Sequence, residues 1–199
     1  MTKKWIEVAT AASLLLPTLT LLHAQYQYFN LTEEPEWPRS LLLLAACVHL
    51  PSSVAYHLSV GLLGRDRLDN DLRRLDQTMQ HVSVVLVACA LSRGSSFYTC
   101  FTAGFNTPLV LDLWNPRVKR PAWPGVFTGM LVYMLPMTLN PHGVHHLVVA
   151  FATAIAGGTA AFLVPPRWIV GTGSVLMYAL VAVHARTLDA WLTLDLRNR

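Results

Sequence analysis

Two histidines four residues apart, in His142-Gly-Val-His-His146, open a long apolar run of this chain. On a helix both imidazoles lie on one face and can reach one metal ion together. The same spacing recurs in Ser53-Val-Ala-Tyr-His57, well inside another apolar run, and Asp76 stands at the mouth of a third. Three imidazoles from two helices would leave a tetrahedral zinc ion one open position for water, the pattern of a catalytic site. Zinc lowers the pKa of such a water towards ~7 and polarises a carbonyl. The expected ligands are therefore His57, His142 and His146, with Asp76 to accept the water's proton and Ser53 to hydrogen-bond the developing oxyanion.

Each residue also has a plainer reading. His142 at the end of a span fits the headgroup region, Ser53 fits helix packing, and Asp76, which follows Arg73 and Arg74, fits a surface ion pair. His49, His81, His145 and His184 have no partner at matching spacing and read as packing or interfacial residues, with His81 and His145 next in line as ligands.

Composition dictates the elements that must position these groups. Of 199 residues, 53% are hydrophobic and 13% charged, and the mean hydropathy is +0.41. Soluble domains carry about 25% charged residues, so the chain reads as a single all-α domain, 1–199, a polytopic transmembrane helix bundle. A span needs about 20 apolar residues. On that ruler there are about seven: Trp5–His23, Ser40–Leu63, Leu72–Leu91, Ser96–Trp114, Pro124–Leu139, His142–Val164 and Trp168–His184. Asn106, Pro108 and Asp112 interrupt the fourth and Pro136 cuts the fifth, so these two are expected to be the least regular. The first run has a rival reading as a secretory signal, but Leu22 is not the small residue such cleavage sites carry, so it is read as a retained span. Arg186–Arg199 alternates apolar and charged residues and is expected to lie along the interface as an amphipathic tail.

The basic residues fall in short loops, which points to topology and not to nucleic acid. A cytosolic N-terminus puts ten of the 15 Lys and Arg residues inside: Lys3, Lys4, those of 65–74 and 117–120, and Arg167. It leaves Glu33, Glu34, Glu36 and the sequon Asn30-Leu31-Thr32 on the lumenal or extracellular side. Cys47, Cys89 and Cys100, odd in number and in apolar surroundings, are expected to pack in the core.

Ser53-x-x-Tyr56-His57, then Arg73-Arg74-Leu75-Asp76, then His142-x-x-x-His146-Leu147, each in its own apolar run, resembles the CREST superfamily, which includes alkaline ceramidases, progestin and adipoQ receptors, hemolysin III proteins and myomaker-type proteins. The wording is most similar to the hemolysin III and progestin/adipoQ receptor branch, while Phe162-Leu-Val-Pro165-Pro166 is similar to the myomaker branch. The resemblance covers roughly residues 40–165. It implies seven spans, membrane lipids as partners and, in enzymatic members, zinc-dependent hydrolysis of a lipid amide substrate. Its ligands fall on His57, His142 and His146, and its Ser and Asp on Ser53 and Asp76. The pattern departs from this chain in its spacing. Only three segments separate Asp76 from the histidine pair, an odd number that sets them on opposite membrane faces, and the family's pair opens the last span whereas here another apolar run follows. A non-enzymatic membrane scaffold or fusion-related protein with a degenerate metal site is the alternative, and a small transporter is a third reading with less support, since the charges cluster near span ends.

Overall fold

A computed structural model describes residues 3–32, 36–65, 70–117, 128–129, 131–139, 144–163 and 172–197. Within these the chain is all-helical, with no strand. His142, Glu33, Glu34, Arg67, Lys119, Arg120, Arg167 and the end of the Phe162–Pro166 motif lie outside the described residues.

The first apolar run forms α1 (Lys3–Ser13) and α2 (Leu15–Thr32), separated only by a turn at Leu14. Pro17 explains the break, because its ring opposes the carbonyl four residues back, at Ser13, and it has no N–H to give. The pair runs well past the expected end at His23. Next, α3 (Trp37–Leu63) starts with Pro38 in its first turn, where a missing N–H costs nothing. It stops at Gly64, whose φ of 66° is the left-handed cap conformation that favours glycine. Asn70 caps α4 (Asp71–Leu91) by accepting a hydrogen bond from the Leu72 N–H at 2.9 Å.

The fourth apolar run is α5 (Ser96–Leu113), a continuous 18-residue helix that contains Pro108. This corrects the expectation of irregularity there. Pro108 falls within the last two turns, and the one carbonyl whose helical bond it removes belongs to Gly104, which is exposed. The fifth run is broken as expected: its described part is helical at 131–133 and tightens to a 3-10 turn at Leu135–Leu139, around Pro136. Two long helices follow, α6 (Val144–Leu163) and α7 (Thr172–Arg197).

The residues expected to form an interfacial tail instead continue α7. Leu188, Trp191 and Leu192 are all buried in the core, so their apolar stripe faces α2 and α4 residues such as Leu21 and Leu91. Around this core α3 packs on α4 and α6 on α7, while α1 and α2 bridge α3 and α7. Towards the other end the buried side chains turn polar: Glu7, Ser53, His57 and Asp76 are all inside.

The outer surface is the reverse. Leu19, Leu22, Phe97, Leu111 and Val148 are each more than half exposed, and residues 4–30 and Trp37–Leu63 are long and apolar enough to cross a membrane. Less than two fifths of each apolar window is buried. Most of the apolar surface of these two helices is thus left uncovered by the described residues. The cysteines follow the same inversion: Cys47 and Cys100 are exposed, not in the core as expected, because they sit on the outward faces of α3 and α5.

Candidate functional site

His49, Ser53 and His57 are spaced by four on α3 and so share one face of it. The structure turns this face inward. His57 Nδ1 donates to a Glu7 carboxylate oxygen of α1 at 2.7 Å, and His49 Nε2 donates to Asp76 Oδ1 of α4 at 2.9 Å. Carboxylates only accept, so Nδ1 of His57 and Nε2 of His49 each carry a proton. Ser53 lies between the two pairs, 0% exposed, with no partner for its hydroxyl. The buried phenol of Tyr178, on α7, faces Ser53 without closing a hydrogen bond and lies within electrostatic reach of Asp76 and Glu7. Four elements thus meet in one polar cluster.

Its neighbours are held locally. The Ser83 hydroxyl donates to the Ala45 carbonyl at 2.6 Å and Asn70 Nδ2 to Ser59 Oγ at 3.2 Å, tying α4 to α3 on either side of Asp76. On the other side, Gly61 lets α1 come close. A Cβ there would stand 2.8 Å from Glu7 Cβ and 3.1 Å from the Lys4 carbonyl, so only glycine allows the Glu7–His57 approach. Each charge-assisted hydrogen bond of this kind contributes about 1.5–3 kcal/mol.

His146 is elsewhere. It lines a cavity with Arg39, at the first turn of α3, and with Asp189 of α7. From residue 39 to residue 57 the helix rises roughly 27 Å at 1.5 Å per residue, which sets His146 about that far from His57 along the bundle. Zinc–nitrogen bonds of about 2.0–2.1 Å need ring nitrogens within a few ångströms of one another. His57 and His146 therefore do not fit one ion in this arrangement. The separation agrees with the odd number of segments between Asp76 and His146. His142 lies outside the described residues, and among those described no three His, Cys, Asp or Glu side chains converge as a metal requires.

His81 and His184 have structural partners. His81 Nδ1 donates to Asn106 Oδ1 at 2.7 Å, joining α4 to α5. His184 bonds the Ala150 carbonyl at 3.0 Å and the Tyr133 hydroxyl, joining α7 to α6 and to 131–133. His145 is exposed.

At the His146 end a second polar group is built on Arg39, which is 4% exposed and bidentate to Asp189 at 2.7 and 3.0 Å. It also donates to the Ala24 carbonyl at 3.1 Å and stacks over Tyr28 at 4.0 Å. Glu36, outside the helices, has its carboxyl pushed above the ordinary value near 4.5 by burial, against the pull of Arg93 and Arg39.

Sequence reasoning missed Glu7, His49 and Tyr178. The first two had signals: Glu7 is an acidic group inside an apolar run and must have a partner there, and His49 continues the spacing of Ser53 and His57. Tyr178 had none. Comparisons with protein-family models, with curated proteins and with solved structures found no match.

Proposed function

We propose that this chain is an integral, multi-pass membrane protein of the CREST type, with about seven spans and a cytosolic N-terminus, that works as a non-enzymatic membrane scaffold. The observation that carries this reading is the self-pairing of the signature residues: His57 is bound to Glu7 and Asp76 to His49. These bonds join α1, α3 and α4 through Nδ1 of His57 and the Asp76 carboxylate, so Nε2 is the one ring nitrogen of His57 they leave open. The last helix, where the resemblance expects a histidine pair, instead brings Tyr178 to Ser53. The membrane setting is supported by the inverted surface and by the two long apolar helices, and the orientation by the loop bias of Lys and Arg.

One observation favours the other reading, a zinc-dependent hydrolase of lipid amides using Ser53 and Asp76. The Ser53 hydroxyl is sealed from solvent without a partner, and an orphaned buried hydroxyl is the kind of group a reacting site retains. Metal content separates the two. Elemental analysis of the purified protein is expected to give the same low zinc level for wild type and for a His57→Ala, His146→Ala double variant. About one equivalent of zinc in the wild type, lost in the double variant together with ceramide hydrolysis, would overturn the scaffold reading.

A further inference from the structure

Two cavities at the His146 end share three lining residues, His146, Arg186 and Ala190, and so form one groove between α2, α6 and α7. The outer one, about 300 Å³, has Arg39 and Arg186 in its wall, against the single carboxylate of Asp189. Arg186 keeps 48% of its side chain exposed while bonding Asp189 at 2.9 Å. Two nitrogens in that wall have no partner: Nη1 of Arg39 and Nδ1 of His146, both buried. The inner cavity, about 420 Å³, continues past Thr20, Val149, Ala182 and Val183. From residue 194 back to residue 183 the groove runs roughly 16 Å along α7, about half the ~30 Å hydrocarbon core of a bilayer.

We propose that this groove binds one anionic phospholipid, its phosphate at Arg186 beside His146 and Arg39, and one acyl chain along Val149, Ala182 and Val183. Charge complementarity selects the head: in the wall two guanidiniums face one carboxylate, and Glu36 beside Arg39 is matched by Arg93, so one positive charge remains that a phosphate corrects, and guanidinium pairs with phosphate bidentately. The apolar continuation selects a lipid over free phosphate, because inorganic phosphate would leave the inner cavity unfilled. The inference rests on the membrane reading of the proposed function, which resistance of the protein to alkaline carbonate extraction tests separately.

The test titrates the full chain in dodecyl maltoside with dioleoylphosphatidic acid, dioleoylphosphatidylcholine or inorganic phosphate, read by thermal shift and native mass spectrometry. The wild type is expected to bind phosphatidic acid in preference to phosphatidylcholine, with no shift from inorganic phosphate in the same range. Arg186→Gln should weaken phosphatidic acid about five-fold, the value of one basic residue at an anionic headgroup. Ala182→Phe, which fills the inner cavity and leaves every charge in place, should weaken it too. Arg117→Gln, exposed and away from the groove, should leave it unchanged. Equal binding of the two lipids, an inorganic phosphate shift equal to the lipid's, or wild-type affinity in both Arg186→Gln and Ala182→Phe would each overturn the proposal.

Discussion

Asp76 shows at the level of one residue how burial decides a role. It is 6% exposed and accepts from His49, so it belongs neither to a surface pair with Arg73 and Arg74 nor to a lone site. The half-buried His49 imidazole left without its acceptor loses a charge-assisted bond. Asp76→Ala is expected to cost about 2–3 kcal/mol in a reversible unfolding assay in mixed micelles, and Asp76→Asn, which keeps an acceptor, less than half of that. An alanine variant as stable as wild type would mean that the bond is not made. Glu36 gives the pH prediction. Burial raises its carboxyl, so the fold favours the protonated form; this contribution is fully present below the unfolded pKa and is lost as pH rises through the higher folded value. Glu36→Gln should therefore raise the melting temperature at pH 7 and change it little at pH 4. An equal effect at both would contradict the assignment.

Helix scale is where the sequence was most legible. The apolar runs 40–63, 72–91 and 96–114 appear as the helices α3, α4 and α5 within a few residues, and of these three α3 is long and apolar enough to cross a membrane. Breaks were harder to read. Pro17 breaks the single long apolar stretch 4–30 into α1 and α2, whereas Pro108 leaves α5 continuous, so a proline in an apolar run does not by itself say where a helix ends. The 186–199 stretch was misread because its alternation fits an interface and a buried seam equally well. Trp191, 3% exposed, settles the matter. Trp191→Ala should cost about 3–5 kcal/mol, the usual range for emptying a core of a large aromatic, where a residue lying on the interface would cost well under half of that. At Gly61 the close approach of α1 is the point at issue. Gly61→Val should push α1 off α3 and destabilise the protein by about 1–3 kcal/mol, and in a Glu7→Ala background, where the overlap with Cβ stays, the loss should shrink only by the share due to the Glu7–His57 bond.

At the scale of the molecule the described bundle carries large apolar side chains on its outside and a buried polar group towards each end. Cys47, exposed near the middle of α3, reports on what surrounds it. In intact membranes it is expected to resist a bulky water-soluble maleimide and to react once the protein is unfolded; full labelling in sealed vesicles would place it in water. Of the five candidate residues Ser53, His57 and Asp76 lie in one polar cluster and His146 lies at the other end, and the partners of the three were not legible. Spacing along one helix says which side chains share a face, and only tertiary packing says what meets them, which is why Glu7 and Tyr178 entered from the two ends of the chain. The claim that these residues bind helices to each other, and not a metal, is tested most directly by a double-mutant cycle on Glu7 and His57, with unfolding measured in the presence of a zinc chelator. The account predicts a coupling of about 1.5 kcal/mol or more, unchanged by the chelator. Coupling within about 0.3 kcal/mol of zero, or coupling that appears only when zinc is supplied, would contradict it.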